Sequence, residues 1–173
     1  MSNARILIIE DEKLIRWSLR QRFQDEGYIV DEAENAADGI EKSDEASYDL
    51  VMLDYKLPDM SGLEVLEHIR GRDPDVVVLM MTAYSSVEAA VQAMKLGAFD
   101  YVSKPFQMDE LMLTVTKALD TTQLRRELRD LRARMKQEYG FSKILGQCPA
   151  MQKLFQMISD VAASGAPTVF LRG

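Results

Sequence analysis

Short apolar runs alternate with segments of helical period between residue 5 and about residue 120. Five of the runs have the length and β-branched composition of strands: 5–10, 28–33, 49–54, 76–81 and 100–103. The first, third and fourth are nearly uninterrupted in apolar residues, as strands covered by helices on both faces are. The second and fifth carry more polar residues. The pattern predicts a parallel sheet with those two strands nearer its edges.

The segments between the strands have the apolar period of amphipathic helices. They cover 14–25, 36–46, 62–72 and 86–96, with a fifth helix beginning at Asp109. On the first helix, Leu14, Ile15, Leu19 and Phe23 are assigned to the inward face. Right-handed crossovers leave few topologies for five βα units, and the flavodoxin-like order 2-1-3-4-5 is a common one. We therefore expect a doubly wound α/β fold of the (βα)5 type over residues 1–120.

The fifth helix is predicted to continue past this domain as a linker, over residues 121–140. Apolar residues follow there at spacings of four, three and four, which is the period of a coiled coil. These seam residues are Leu124, Leu128, Leu131 and Met135. The pattern favours a homodimer formed through the linker and helix five. An amphipathic helix folded back on its own domain is the alternative.

Charge is unevenly distributed along the chain, whose net charge is -7. Residues 121–140 hold six Lys/Arg against three acids, so the linker is locally basic. A solvated helix face explains this run better than a DNA contact does. The single cysteine, Cys148, cannot form an internal disulfide, and no apolar run approaches the roughly 20 residues of a membrane span. The apolar stretch 6–9 is too short for a signal peptide, so we expect a cytoplasmic protein.

Acidic residues follow two of the predicted central strands. Glu10 and Asp11 come at the end of the first strand, and Asp54 ends the third. The carboxyl ends of parallel strands line the ligand crevice of such a sheet. Three carboxylates brought together without compensation would repel one another, and a site made only of oxygen ligands suits Mg2+. The sequence therefore predicts a Mg2+ site here, in preference to three unrelated helix caps or loop acids.

The ends of the fourth and fifth strands add two further polar side chains. The hydroxyl of Thr82 is placed to donate to an oxygen of a phosphoryl group, and the ammonium of Lys104 to pair with that group or with Asp54. Lys104 precedes Pro105, which holds its backbone extended and leaves the isomer of that bond open. An aspartate in such a setting can accept a phosphoryl group covalently.

Four motifs resemble the signature set of two-component response-regulator receiver domains. They are IIEDE at 8–12, LDYKLPDMSG at 53–62, MMTAY at 80–84 and YVSKPF at 101–106. The resemblance implies that a sensor histidine kinase phosphorylates Asp54, that Thr82 and Lys104 contact the phosphoryl group, and that Tyr101 is a switch aromatic. It also implies that Glu10, Asp11, Asp54 and the backbone carbonyl of Lys56 hold Mg2+. Glu10 departs from the Asp of many receivers, and it reaches the metal either directly or through water.

Residues 141–173 are expected to begin a second domain. Pro149 is placed to open a helix, and 168–171 to begin a strand. The stretch 144–173 is similar to the start of the AAA+ domain of NtrC-type, sigma-54-dependent activators. That resemblance implies contacts with sigma-54 RNA polymerase and DNA through domains that these residues do not contain. No Gly-rich loop with its Lys and Ser/Thr is present, so we expect no ATP site in this sequence.

Two enzyme or cofactor functions compete with a phospho-acceptor. An aspartate-nucleophile phosphatase would need a second acid two residues after Asp54, where this chain has Lys56. A flavin-binding module would place a phosphate against an acidic crevice. We therefore expect no catalytic turnover. Lys56 and Tyr84, two residues after Asp54 and Thr82, are expected to shield the acyl phosphate from water and slow its hydrolysis.

Overall fold

The computed structural model describes residues 4–83, 87–139 and 148–163. Five parallel strands form one sheet in the order β2-β1-β3-β4-β5. The strands are β1 (Arg5–Ile9), β2 (Ile29–Ala33), β3 (Leu50–Asp54), β4 (Val77–Thr82) and β5 (Asp100–Ser103). Both the flavodoxin-like order and the edge positions of β2 and β5 are as predicted.

Six helices lie in the described part of the chain. They are α1 (Lys13–Asp25), α2 (Ala36–Glu45), α3 (Gly62–Arg72), α4 (Val87–Lys95), α5 (Met108–Tyr139) and α6 (Pro149–Ala163). Helix α3 begins with a capping box, in which Ser61 accepts from the backbone and Glu64 reaches back to it. No helix in the described ranges is both long and apolar enough to cross a bilayer.

The inward face assigned to α1 was wrong in one residue. Leu19 and Phe23 are fully buried, but Leu14 is 81% exposed. At 3.6 residues per turn, Leu14 lies about 140° around the helix from Leu19 and about 180° from Phe23. Leu14 therefore belongs to the opposite face.

Two apolar layers cover the faces of the sheet. One packs alternate residues of β1, β3 and β4, such as Leu7, Val51 and Val78, against α2, α3 and α4. The other packs the intervening residues, such as Ile8, against α1 and α5. This alternation explains why the central strands are apolar throughout, since both of their faces are buried.

The chain divides into two compact units, residues 1–127 and 128–173. Within the first unit, two residues of α5 bind the segment that precedes β3. Thr122 is fully buried and donates to the carbonyl of Asp49 at 2.8 Å. Arg126 donates to the carbonyl of Tyr48 at 2.7 Å and pairs with the carboxylate of Asp49. Of the second unit, the structure describes the end of α5 and α6; the predicted strand at 168–171 lies outside the described residues.

Candidate functional site

Three carboxylates meet at the carboxyl ends of β1 and β3. One oxygen from each of Glu10, Asp11 and Asp54 lies within 4.8 Å of the others. The strands are neighbours, with Ile9 opposite Leu53, so the residues at their ends are brought side by side. Glu10 is fully buried and Asp54 is 6% exposed, whereas Asp11 faces solvent.

One ammonium group bridges two of these acids. Lys104 Nζ donates to Asp54 Oδ2 at 2.7 Å and lies 2.5 Å from Glu10 Oε2. The side chain of Lys104 is only 7% exposed. Its backbone N–H donates to the carbonyl of Thr82 at 2.7 Å, and its bond to Pro105 is cis. The end of β5 thus delivers a buried cation to the acids of β1 and β3.

The close spacing of these charges shifts the pKa values of Glu10 and Lys104. Burial raises the pKa of Glu10 to about 7; the charge of Asp54 adds to this effect and Lys104 opposes it. Burial alone would lower the pKa of Lys104, but its hydrogen bond to Asp54 and its ion pair with Glu10 raise it above its ordinary value. Lys104 therefore remains an ammonium, while Glu10 is held as a carboxylate only at a cost in free energy.

The residues after β3 orient the carboxylate of Asp54. The N–H of Lys56 donates to Asp54 Oδ1 at 3.2 Å, and Tyr55 N–H donates to the carbonyl of Met81 at 2.8 Å. Gly62 at the start of α3 presses on the same segment. A Cβ at Gly62 would lie 2.1 Å from the carbonyl oxygen of Asp54, so only glycine permits this approach. Both oxygens of Asp54 thus have a donor: Lys104 directly after β5 and the N–H of Lys56 just beyond β3.

A cavity of about 270 Å³ opens above the acids. Its lining includes the last residue of β4, Thr82, which is 1% exposed. The complete lining is Asp11, Glu12, Asp54, Lys56, Leu57, Pro58, Thr82, Ala83 and Lys104. Carboxylates, a hydroxyl-bearing residue and two lysines therefore face one space large enough for a small anion.

Comparison with known proteins agrees with this geometry. The family described as the response regulator receiver domain matches residues 6–116. The chain belongs to this family. Its receiver domain is thus the part of the chain that holds the five strands and the cavity.

Two curated relatives extend the similarity beyond the receiver domain. The regulatory protein AtoC of Escherichia coli K12 is 35% identical over 94% of this chain and 35% of its own length. The transcriptional regulatory protein ZraR of Klebsiella oxytoca is 38% identical over 97% of this chain and 37% of its own length. The chain therefore spans little more than a third of the curated relatives that it matches.

Solved structures show the same fold. A receiver domain from Methanospirillum hungatei covers 72% of this chain and 99% of its own, with a TM-score of 0.70 and 35% identity. NtrX from Brucella abortus covers 92% of this chain and 35% of its own, with a TM-score of 0.71 and 34% identity. The receiver domain is accordingly of the kind found in NtrC-like response regulators.

The predicted switch aromatic Tyr101 lies in the receiver domain, and the predicted seam residues lie on α5. Tyr101 is half-buried on β5, packs against the layer that contains α2 to α4, and does not line the cavity. Tyr84 lies outside the described residues. In the seam, Leu124, Leu128 and Leu131 are 65%, 47% and 57% exposed, and the side chain of Met135 lies outside the described part.

Three residues that hold elements of the receiver domain in place were missed by sequence reasoning. They are Arg16, which binds the turn that carries Glu10 and Asp11; Gly62, which presses on Asp54; and Asp59, which caps α2. Gly62 had a weak signal, since it directly follows the helix-start signal Ser61 and glycine is used where backbones approach closely. Asp59 had none, because it lies 23 and 22 residues from its partners Ala36 and Ala37. Arg16 lies only six and five residues from Glu10 and Asp11, but an arginine at that spacing on a helix is not a distinctive signal.

The acidic cluster of the receiver domain fits a divalent cation. Glu10 Oε2 is buried and, among the described residues, accepts no well-directed hydrogen bond despite the nearby Lys104. An acceptor left in this state is costly unless a further positive group approaches it. The donor set consists only of oxygens, which suits a hard cation of the Mg2+ type.

Proposed function

We propose that this receiver domain accepts a phosphoryl group on Asp54 from a sensor histidine kinase. One observation carries the proposal: the Asp54 carboxylate faces a cavity of about 270 Å³ beside Thr82 and Lys104, with Glu10 and Asp11 as the adjoining acids. A nucleophilic carboxylate, cationic and hydroxyl donors, and a hard-cation site are the parts that phosphoryl transfer requires.

In the reaction, a carboxylate oxygen of Asp54 forms a bond to phosphorus. The bond between phosphorus and the donor's histidine nitrogen breaks, and its electron pair remains on the imidazole. Lys104 already holds one oxygen of Asp54 and supplies a positive charge at the cavity wall. Thr82 supplies a hydroxyl at the end of the neighbouring strand β4. These groups act by position and charge, as is general for phosphoryl transfer.

Glu10, Asp11, Asp54 and the backbone carbonyl of Lys56 would hold Mg2+. When bound, the ion neutralises charge on the oxygens of the transferring group. Without it, burial of Glu10 beside Asp54 opposes a fully ionised cluster, as the raised pKa of Glu10 indicates. Lys56 lines the cavity and, with Tyr84, is proposed to shield the acyl phosphate and so lengthen its lifetime.

The output is proposed to run through Tyr101 and α5 to a dimer of this chain. A charged group arriving beside Thr82 would favour a conformation in which Tyr101 changes its packing against the core. Helix α5 runs from this domain into the exposed seam leucines. In the full-length protein we propose that dimer rearrangement controls a sigma-54-dependent ATPase, which would contact RNA polymerase and DNA.

Intact-mass measurement after incubation with acetyl phosphate and Mg2+ tests the acceptor. The wild-type chain and Asp59→Asn should gain the mass of one phosphoryl group, and Asp54→Asn should not. Asp59 is a suitable control because it is an exposed aspartate in the same connection between β3 and α3. Labelling that persists in Asp54→Asn would refute the assignment. Continuous release of phosphate in many turnovers would instead support the phosphatase alternative.

Solution scattering tests the proposed output. Profiles are recorded with Mg2+ alone and with Mg2+ plus beryllofluoride, a mimic of the phosphoryl group. A change in dimer arrangement is expected in the wild type and not in Leu128→Asn/Leu131→Asn, which removes the seam. Leu14→Asn is the matched control, since Leu14 is also an exposed leucine but lies on α1. Identical profiles with and without beryllofluoride would contradict the proposed output.

A further inference from the structure

Arg16 contacts the backbone of the turn between β1 and α1, which carries two acids of the cluster. One nitrogen, Nη1, donates to the carbonyl of Glu10 at 2.6 Å and to that of Asp11 at 3.1 Å. Its side chain is 13% exposed, and it does not line the cavity. A single guanidinium nitrogen thus holds two successive carbonyls, and their residues supply two of the three clustered carboxylates.

The contact continues through one peptide group to the carboxylate of Glu10. The carbonyl of the peptide that joins Asp11 to Glu12 accepts from Arg16. The N–H of the same peptide donates to Glu10 Oε1 at 3.2 Å. Because a peptide group is planar and rigid, fixing its carbonyl also fixes the direction of its N–H. Arg16 is therefore connected to the buried acid by two hydrogen bonds in series.

The rest of the guanidinium is held by acids at the end of β2. Its Nε lies 3.7 Å from a carboxylate oxygen of Glu32, and its Nη2 lies 3.7 Å from one of Glu34. The guanidinium of arginine is a rigid plane that carries several donors. Partners on Nε and Nη2 therefore fix the direction in which Nη1 donates. Arg16 thus braces the β1–α1 turn against the neighbouring strand.

We propose that Arg16 is a positioning residue for the acidic cluster and sets its affinity for Mg2+. It fixes the peptide that orients Glu10 and the backbone from which Asp11 extends, without touching the metal or the phosphoryl group. Groups that orient metal ligands in this way typically change affinity about 10- to 100-fold when removed. The inference rests on the proposed Mg2+ site.

Arg20 provides a matched control. It lies one turn further along α1 and contacts the same acid, with Nη1 2.9 Å from a carboxylate oxygen of Glu32. Within the described residues, this side chain is joined to Glu32 and not to the carbonyls of Glu10 and Asp11. Arg20→Met therefore removes an equal charge and a shared partner but leaves the turn braced.

The experiment compares wild type, Arg16→Met, Arg16→Lys and Arg20→Met. Titration calorimetry with MgCl2 gives the Kd, and urea unfolding without metal gives the stability. We expect Arg16→Met to raise the Kd about tenfold or more, and Arg20→Met to leave it within about twofold. A purely structural role predicts lost stability with an unchanged Kd, and that result in folded Arg16→Met would overturn the proposal. If Arg16→Met does not fold, Arg16→Lys decides, because it keeps the charge and loses the fork.

A second measurement separates this inference from the proposed function. The solvent exchange rate of the Glu12 amide is measured by NMR without metal. It should rise in Arg16→Met relative to Arg20→Met, because the peptide that bonds Glu10 is released. If wild type binds no Mg2+, the proposed metal site is wrong. An exchange rate of the Glu12 amide that is the same in Arg16→Met and Arg20→Met would show separately that Arg16 does not hold the turn.

Discussion

Asp11 differs from the other two clustered acids because its side chain is exposed. Glu10 and Asp54 are buried and pack around Lys104. Replacing either residue would therefore change both the affinity for Mg2+ and the stability of the domain. Asp11 lines the cavity mouth. A substitution at Asp11 therefore reports on the cation with little effect on the core.

We expect Asp11→Asn to abolish most of the stabilisation that Mg2+ gives. A ligand at a hundredfold excess over its Kd adds about 2.7 kcal/mol to the free energy of unfolding, and a site weakened a hundredfold adds only about 0.4 kcal/mol at that concentration. Urea unfolding with and without Mg2+ measures both increments. Glu12→Gln is the control, because Glu12 is adjacent and 61% exposed but lies outside the cluster. Equal increments in Asp11→Asn and wild type would exclude Asp11 as a ligand.

Asp59 should give the domain a contribution to stability that depends on pH. Its carboxylate accepts from the N–H groups of Ala36 and Ala37 at 2.9 Å each, and these bonds lower its pKa below the ordinary 3.8. As the pH falls, Asp59 therefore takes up a proton at a higher pH in the unfolded chain than in the folded chain. The contribution is complete above about pH 4 to 5 and is lost as the pH falls through the folded pKa.

Urea unfolding of Asp59→Asn tests this assignment. Near pH 7 we expect a loss of about 0.5 kcal/mol, at the lower end for a helix cap because the group is exposed. The difference from wild type should shrink below pH 4. Glu41→Gln, an exposed acid on the same helix α2, should show no such pH-dependent difference. A difference that is constant down to pH 3 would count against the cap.

The positions of the strand ends were enough to predict the acidic cluster from the sequence. Glu10, Asp11 and Asp54 were expected together because β1 and β3 end side by side, and the structure brings them within 4.8 Å. The partners of Arg16 and Asp59 were not predictable in this way. A guanidinium or a carboxylate can turn toward several neighbours, and only the packed positions of the loops decide which one it meets.

Among the elements, the start of α3 packs closely against the end of β3 because residue 62 is a glycine and has no side chain. The N–H of Gly62 donates to the carbonyl of Tyr55 at 2.9 Å, and its Cα faces the backbone of Asp54. Backbone atoms cannot move aside as the end of a flexible side chain can. The start of α3 is therefore coupled to the position of the acceptor.

Gly62→Ala should destabilise the domain by about 1 to 3 kcal/mol, the usual cost of overpacking. It should also slow labelling of Asp54 by acetyl phosphate, because the clash falls on the carbonyl of the acceptor. Gly71→Ala in the same helix is the control. Nothing lies within 4 Å of a Cβ there, so it should add about 0.5 to 1 kcal/mol. Urea unfolding and intact mass give both readouts, and equal stability of the two variants would disprove the close approach.

Element bounds were predictable where local signals are strong. Helix α3 has its predicted bounds because Ser61 and Glu64 form a capping box before an apolar period. Helix α5 begins at Met108, one residue before the predicted Asp109. Strand β4 includes Thr82, which the apolar run did not indicate, because pairing with Ser103 of β5 extends the ladder.

At the scale of the whole chain, the long helix α5 contacts the rest of the first unit through polar groups as well as apolar ones, and Arg126 makes several of the polar contacts. Arg126 binds both the carbonyl of Tyr48 and the carboxylate of Asp49, which also accepts from the N–H of Arg5 at 2.7 Å. These contacts join α5 to the amino ends of β1 and β3. They lie at the opposite end of the strands from the acidic cluster.

Arg126→Ala should lower the stability of the first unit by about 1 to 2 kcal/mol, as the loss of charge-assisted hydrogen bonds does. Arg125→Ala is the neighbouring control, because Arg125 is exposed, and it should change stability by less than about 0.5 kcal/mol. Thermal unfolding of both variants provides the measurement. Equal transitions would show that the contact with Asp49 does not contribute.

The architecture of the receiver domain could be predicted because alternation of strands and helices, with right-handed crossovers, leaves few orders for five strands. The attachment of α5 through Thr122 and Arg126 could not, since both residues look like surface positions on a polar helix. The assignment of the seam to a dimer depends on a second chain and stays a prediction.

Strand β2 lies at one edge of the sheet that the described residues form, and its side chains influence association between copies of the chain. An open edge can pair with another chain, and charged side chains along it discourage such growth. Two acids of β2 are held there by arginines: Asp31 by Arg5 at 2.7 Å and Glu32 by Arg20 at 2.9 Å. Ile29 on the same strand is already 51% exposed. Neutralising those acids would therefore leave a more apolar edge strand, and substitutions there would favour association with further copies of the chain.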